Sequence, residues 1–270
     1  MKSYAVSIAK FGESTNEDAA LAQDCLIAIS DGAGGGGVYA DEWSQYLLKC
    51  LPATPFASFS EMDKWVDSIW EPFYTQHEVS AKQQGGLFLN KFYDEGSFAT
   101  LVSVWRESPT MCKWISYGDS VAFCYDRTTH KLQHSFTRLK DFNRSPYLIN
   151  TNNPLNEKGF RSGEFEVSNH SIVFATSDAL AHYIIMMYRI LEDIKKITEI
   201  NDAIEVSSRN SNLLLAAKGW EGKSFNVDIL NKLLSSSKNK GNFQRHLRSL
   251  WKQGVLALDD YSLSFMGEES

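Results

Sequence analysis

The chain has 270 residues, 43% of them hydrophobic, which is enough for one large domain or two small ones with a real core. Its formal net charge of -6 lacks the positive excess expected of a nucleic-acid-binding protein. The opening residues contain no apolar core of signal-peptide length, and no later segment approaches the roughly 20 apolar residues that span a bilayer. We therefore expect a single cytoplasmic domain over residues 1–270, monomeric and without a nucleic-acid or membrane partner.

The cysteines exclude a structural zinc site. Cys25, Cys50, Cys112 and Cys124 are far apart, with no C-x-x-C pair and no histidine at zinc-finger spacing. Three of them, all except Cys50, lie in or beside apolar strand-like runs. We expect those three to be small buried side chains.

The first half of the chain alternates short apolar runs with turn residues, a pattern that predicts a largely antiparallel sheet. Two helical patterns interrupt these runs, one over residues 39–51 and one across Met62, Trp65, Ile69 and Phe73, and they would cover a face of the sheet. The predicted strands in this half are residues 4–9, 25–30, 97–105, 112–117 and 121–125.

The second half begins with a polar loop over residues 143–156, followed by a predicted strand at 171–176. Helical patterns then cover 184–194 and 203–217 and continue to about Trp251, before YSLSFM predicts a last strand. We interpret the region around 185–255 as a helical insertion. Its cationic residues between 232 and 252 indicate either a solvated helical face or a surface for an acidic or phosphorylated partner.

Aspartates stand where predicted strands begin or end. Asp31 follows CLIAIS, Asp119 lies in a turn between strands, Asp178 follows SIVFATS and Asp259 precedes YSLSFM. Any one of them alone is typical of a turn former or a helix cap. Together they can converge at one end of a sheet, where several carboxylate oxygens favour Mg²⁺ or Mn²⁺ over zinc.

The glycines after Asp31 leave an alternative open. GAGGGG lets the backbone bend sharply and approach an ion, but Gly32, Gly34 and Gly37 also satisfy the dinucleotide-binding pattern G-x-G-x-x-G. Against that alternative, Asp31 would bring a negative charge beside the pyrophosphate. About twenty residues further on, LPATPFASFS offers no carboxylate for a ribose.

Six short motifs, in this order, resemble those of the type 2C family of metal-dependent protein serine/threonine phosphatases. They are NEDA (16–19), DGAGG (31–35), GSFAT (96–100), GDS (118–120), TSDAL (176–180) and DDYS (259–262). The resemblance implies an α+β fold, an αββα sandwich of two antiparallel sheets flanked by helices, with the site in a cleft at one end. It also implies a signalling enzyme that removes phosphate from phosphoserine or phosphothreonine in a protein substrate.

Carried over by position, the resemblance makes Asp31, Asp178 and Asp259 the catalytic metal-holding carboxylates. Asp31 would bridge two Mg²⁺ or Mn²⁺ ions, Gly32 would add its backbone carbonyl, and Asp18 would hold the second ion mainly through water. The two cations would lower the pKa of a bridging water, so that hydroxide attacks phosphorus near neutral pH.

Two further acidic residues match outer positions of the same centre. The resemblance implies that Glu17 acts through bound water and that Asp119 belongs to a weaker third ion. GSFAT is expected to form a tightly packed central strand, with Gly96 and Ser97 in a structural role.

The chain departs from the family pattern in several places. No arginine precedes NED, so the nearest cation for the substrate phosphate is Lys10, which lacks the bidentate fork of an arginine. Ala179 and His182 replace the usual glycine and acidic residue. Asp260 replaces an asparagine, and this extra acid either adds cation affinity or faces solvent, of which we expect the second. These departures leave a second function open, a catalytically weak module that binds phosphoproteins or regulates a partner.

Overall fold

The structure is a computed structural model that describes residues 2–35, 37–192, 212–213, 215–217, 219–220 and 222–266. The strands are β1 (Ser3–Ile8), β2 (Ala19–Ala22), β3 (Leu26–Ser30), β4 (Phe98–Ala99), β5 (Leu101–Ser108), β6 (Met111–Tyr117), β7 (Val121–Asp126), β8 (Lys131–His134), β9 (Ile149–Asn150), β10 (Phe160–Glu166), β11 (Ser171–Thr176) and β12 (Tyr261–Met266). The helices are α1 (Ala40–Lys49), α2 (Phe59–Gln84), α3 (Gly86–Asp94), α4 (Asp178–Leu191), α5 (Asn231–Ser237) and α6 (Lys240–Lys252), with a π-helix (Phe225–Leu230) directly before α5. Short 3₁₀ turns cover Leu139–Asn143 and Glu157–Gly159.

Ten of these strands form two five-stranded sheets, in the orders β1-β12-β11-β7-β8 and β10-β6-β5-β3-β2. All the strand pairs in both sheets are antiparallel. The two short strands β4 and β9 pair with each other, and Ala99 of β4 also bridges to Gly32. Because β3 has only antiparallel neighbours, the parallel βαβ unit required for dinucleotide binding is not formed around the glycines, and that alternative is wrong.

The two sheets pack face to face because their central strands are apolar on both sides. In β3, Ile27 and Ile29 point into the layer between the sheets, and Ala28 points outward. β11 repeats the alternation, with Val173 in the inner layer and Phe174 outside. Because side chains alternate between the two faces of each strand, the sandwich has three apolar layers, one between the sheets and one on each outer face.

Helices bury the two outer faces. Trp43 of α1 and Met62 of α2 pack in one cluster with Trp105 of β5, whereas Ile184 of α4 and Leu247 of α6 pack against the other sheet. The expected αββα sandwich, an α+β fold, is therefore confirmed. No helix among the described residues is long and apolar enough to cross a membrane.

The predicted elements agree with the structure in most places, and the differences have local causes. The predicted strand at 97–105 is divided at Thr100 into β4 and β5. Cys112 and Cys124 are buried as expected, but Cys25 lies in the turn before β3 and is exposed, so that expectation is wrong. Most of the predicted helix at 203–217 falls outside the described residues.

Candidate metal centre

The fold brings the strand-end aspartates to one end of the sandwich. Asp31 follows β3, Asp178 opens α4 directly after β11, and Asp259 precedes β12. The pKa of Asp31 is raised well above its usual value by burial and then by the negative charges of four carboxylates: Asp18, Asp178, Asp119 and Asp259. The five aspartates therefore repel one another within a single cluster.

Asp18 is buried without hydrogen-bond partners for its carboxylate. The residue is only 4% exposed, and neither of its carboxylate oxygens has a hydrogen-bond partner. Burial raises its pKa to about 7; the nearby Ser262 and Ser177 hydroxyls act in the opposite direction, but the Ser262 hydroxyl donates its hydrogen bond to Ser7. A buried carboxylate without donors is costly, so it calls for a cation.

The other carboxylates of the cluster are perturbed in the same direction. Burial, followed by repulsion from Asp119 and Asp259, raises the pKa of Asp178 well above its usual value, although the Ala179 N–H donates to its carboxylate. Burial also raises the pKa of Asp119 to about 6, and the positive charge of Arg161 limits that rise. Arg161 thus offsets part of the negative charge at Asp119, whereas burial and repulsion dominate at Asp178.

The donor set suits hard divalent cations, because all the side-chain donors are carboxylate oxygens. Within the described ranges, no three or more His, Cys, Asp or Glu side chains form a ready-made metal-binding group. The unpaired oxygens of Asp18 and the mutual repulsion at Asp31 are nevertheless what a cation would relieve. On that test the chemistry of the residues present fits divalent-cation binding.

Glu17 shapes the loop on which Asp31 lies. Its Oε2 accepts a hydrogen bond of 3.1 Å from the Gly34 N–H, and its carbonyl oxygen accepts from the Gly32 N–H at 3.2 Å and from the Ser44 hydroxyl at 2.6 Å. A Cβ added at Gly34 would lie 1.9 Å from Glu17 Oε1, and one at Gly32 would lie 2.6 Å from the Ala40 carbonyl oxygen. Gly32 must therefore be glycine, because its clash is with backbone atoms, whereas a side chain at Gly34 would displace the Glu17 carboxylate from its hydrogen bond. Burial raises the pKa of Glu17.

Asp260 does not face solvent, so that expectation is wrong. The residue is 8% exposed, and its two carboxylate oxygens accept hydrogen bonds from the backbone N–H groups of Lys10 at 2.7 Å and Glu17 at 2.6 Å. Its own N–H donates to Asp259 at 3.0 Å. Asp260 therefore ties the segment after β1 to the start of β12, beside Asp18.

Lys10 lies at the edge of this centre. Its Nζ is 3.5 Å from a carboxylate oxygen of Glu13. Partial burial acts to lower the pKa of Lys10, but the Glu13 carboxylate outweighs it and raises the pKa, with smaller contributions from Asp260 and Asp259. The ammonium group would have to leave Glu13, or share it, to contact a phosphate.

Two residues that contact this centre, Thr100 and Arg161, were not predicted from the sequence. Thr100 donates its N–H to the Asp31 carbonyl at 2.8 Å, and its Oγ1 accepts from the Asp31 N–H at 3.3 Å and lies 2.7 Å from Ser120 Oγ. Thr100 thus fixes both Asp31 and the turn that carries Asp119. Its place in GSFAT was a signal, but that motif was interpreted only as a packed strand.

Arg161 on β10 is the second missed residue. Its Nη2 donates to Ser116 Oγ at 3.2 Å and to the Gly118 carbonyl, and its guanidinium lies 5.0 Å from the centre of the Phe136 ring. Burial lowers its pKa, whereas the charge of Asp119 opposes that shift. No local motif marks this residue, because its contacts depend on the pairing of β10 with β6.

His182 on α4 is buried and carries no negative charge that could bind a cation. It is 5% exposed on α4, its ring lies 5.5 Å from that of Phe142, and burial lowers its pKa to about 4. The His182 imidazole is therefore neutral and packs in an apolar layer.

No family model matches this chain, and no curated protein matches it. Solved structures do match it over nearly its whole length. The catalytic domain of the serine/threonine protein phosphatase PstP, in complex with two manganese ions, shares 15% identity and a TM-score of 0.55, covering 98% of this chain and 96% of that one. Serine/threonine phosphatase Stp1 from Staphylococcus aureus shares 13% identity and a TM-score of 0.54, covering 100% and 95%.

A further structure of PstP/Ppp, from Mycobacterium tuberculosis, shares 14% identity and a TM-score of 0.51, covering 98% and 97%. The fold class is therefore that of serine/threonine phosphatases of type 2C. The match covers 98–100% of this chain, and the resemblance drawn from its six motifs is confirmed at the level of the fold.

Proposed function

We propose that this chain is a metal-dependent protein phosphatase that hydrolyses phosphoserine or phosphothreonine in a protein substrate. The observation that carries the proposal is the buried Asp18 carboxylate, unpaired and surrounded by like charges. We propose further that residues 1–270 act as one monomeric domain in the cytoplasm, and that the helices around 185–255 are an insertion that shapes the choice of substrate.

In this proposal Asp31, Gly32, Asp178 and Asp259 hold the cations, and Asp18 holds the second of them mainly through water. Outside this set, Glu17 interacts with the metal centre through bound water, and Asp119 helps to bind a weaker third ion. Two Mg²⁺ or Mn²⁺ ions would supply a nucleophile at neutral pH and neutralise phosphoryl charge.

The chain's own residues position this centre. Thr100 holds the Asp31 backbone through two hydrogen bonds, and Asp260 holds the backbone at Lys10, before the NED motif, and at Glu17, within it. Lys10 supplies a point charge for the substrate phosphate, in competition with Glu13. Because a lysine lacks the bidentate fork, we expect weak phosphate binding and a high KM.

Hydrolysis of p-nitrophenyl phosphate and of a phosphothreonine peptide, with Mn²⁺, Mg²⁺ or EDTA, tests the proposal. Activity should require metal and should be abolished in Asp31→Asn and Asp178→Asn. The exposed Asp24 lies in the turn before β3, and Asp24→Asn is the matched control that should retain full activity. If the intact protein is inactive with every metal, the proposal that it is a phosphatase is rejected.

A catalytically weak module that binds phosphoproteins or regulates a partner is the second candidate. The specific observation in its favour is that the cation nearest to the NED motif, Lys10, is already paired with Glu13. Such a module should capture a phosphoprotein without turning it over. Turnover of a phosphothreonine peptide with Mn²⁺ would exclude it.

A further inference from the structure

A half-open cavity of about 490 Å³ lies at the end of the β1-β12-β11-β7-β8 sheet that is remote from the aspartates. Ser171, at the start of β11, and Met266, at the end of β12, line it, whereas Asp178 and Asp259 lie at the opposite ends of the same two strands. Six residues of strand separate the two ends, roughly 20 Å at about 3.3 Å per residue. A ligand in this cavity would not touch the metal centre.

Cationic side chains form the rim of the cavity. The two cations of the lining are Arg127 and Lys238. The backbone N–H of Arg127 donates to the backbone carbonyl of His170 at 3.1 Å, which fixes the chain from which the Arg127 side chain extends. The Arg127 guanidinium is oriented by a hydrogen bond of 3.1 Å from Nη2 to Asn231 Oδ1. Lys238 approaches from the turn after α5, with its Nζ 5.6 Å from the centre of the Tyr4 ring.

These charges are available to a ligand. Among the described residues, neither Arg127 nor Lys238 forms an ion pair with a carboxylate. The nearest acid in sequence, Asp126, accepts hydrogen bonds from the Thr129 N–H at 2.8 Å and the Ser168 hydroxyl at 2.8 Å, and these bonds lower its pKa to about 2. The Asp126 carboxylate thus binds groups of its own turn and does not pair with Arg127.

Apolar and polar side chains both line the cavity, and the apolar ones are called its floor here. Ile172, Leu234 and Phe265 are buried side chains of the floor. Asn226 lies on the π-helix, and its buried Oδ1 has no hydrogen-bond partner. A single π-turn within a helical segment frequently marks a functional site, and an amide with unused capacity can bind a polar group of a ligand.

We propose that this cavity binds a phosphorylated small molecule of nucleotide size. Arg127 and Lys238 bind the phosphate groups, the apolar floor packs against the base or another flat apolar part, and Asn226 hydrogen-bonds its polar edge. The volume lies within the range of small-molecule sites, and a cationic rim above an apolar floor is complementary to a molecule with an anionic end and an apolar end.

Calorimetric titration with ATP, tripolyphosphate and adenosine, in EDTA, tests this site on the whole chain. ATP should bind with saturation, and adenosine should bind more weakly because it lacks the phosphates. Arg127→Ala and Lys238→Ala should each weaken ATP binding roughly tenfold or more, the loss expected for one charge-assisted contact. Lys240→Ala, an exposed lysine outside the lining, is the matched control and should bind as the unaltered protein does.

The same titration on Asp31→Asn separates this site from the metal centre. Binding should persist in that variant, whatever its phosphatase activity. The proposal is overturned if ATP shows no saturable binding below about 1 mM, or if Arg127→Ala and Lys238→Ala both bind ATP as tightly as the unaltered protein does. Loss of binding in Asp31→Asn alone would overturn it too. Circular dichroism of each variant shows that a loss of binding is not a loss of fold.

Discussion

Asp260 should stabilise the fold in a way that asparagine cannot reproduce. Its two carboxylate oxygens accept separate backbone N–H groups, from Lys10 and Glu17, at 2.7 and 2.6 Å. Asparagine retains one acceptor oxygen, but its NH₂ group would face the other N–H and could not bind it. Asp260→Asn therefore removes one hydrogen bond, and Asp260→Ala removes both.

The expected losses follow from the cost of an unpaired backbone group. Each partly buried N–H left without an acceptor costs about 1–3 kcal/mol. We expect Asp260→Asn to lower the free energy of unfolding by about 1–3 kcal/mol and Asp260→Ala by about 2–6 kcal/mol. Catalytic activity should fall in the same order, because Glu17 adjoins Asp18 in the chain.

Urea denaturation of the metal-free protein at neutral pH measures these differences. The exposed Asp24→Asn variant removes a carboxylate without removing a backbone contact and should change stability by less than about 0.5 kcal/mol. If Asp260→Asn proved as stable as the unaltered protein, the two-acceptor argument would be refuted. An equal loss in the asparagine and alanine variants would also contradict the graded effect.

Three further predictions concern buried contacts. Burial lowers the pKa of His182 from 6.5 to about 4, so between these pH values this side chain binds a proton in the unfolded chain but not in the folded one. Its own contribution to the free energy of unfolding should fall by ~3 kcal/mol as pH drops through that window. His182→Leu should show a correspondingly shallower pH dependence in urea denaturation, and an unchanged slope would argue against a neutral buried imidazole. Gly34→Ala should lower the thermal stability, because the added Cβ would lie 1.9 Å from Glu17 Oε1; adding Glu17→Ala should restore part of that stability, and no restoration would rule out this clash as the cause of the loss. Thr100→Val should lower the free energy of unfolding by about 1–3 kcal/mol, because it removes the hydroxyl that hydrogen-bonds to Ser120. Thr100→Ser keeps that hydroxyl and should lower it by much less, so equal thermal stability of the two variants would contradict this prediction.

The sandwich could be predicted where both faces of a strand are apolar. The bounds of β11 (Ser171–Thr176) were predicted correctly because five of its six residues are buried. β10 (Phe160–Glu166) was missed, since Phe165 is its only buried residue and an edge strand needs little apolar surface. α3 (Gly86–Asp94) was also missed; it directly follows α2 and buries only Phe92.

The candidate site was predictable where its residues follow the strand pattern. Asp31, Asp178 and Asp259 are marked by their position at strand ends, and their mutual repulsion in the structure fits that interpretation. The role of Asp260 was not predictable, because its two donors lie 250 and 243 positions away along the chain. Arg161 escaped notice for the same reason, since its charge reaches Asp119 only after β10 pairs with β6.

Calorimetric titration of the intact protein with Mn²⁺, compared with Asp31→Asn and Asp18→Asn, tests the central claim most directly. We expect saturable binding of two ions to the intact protein, loss of both in Asp31→Asn, and loss of one in Asp18→Asn. An intact protein that binds no Mn²⁺, or an Asp31→Asn variant that binds it equally well, would contradict a metal centre built on these aspartates.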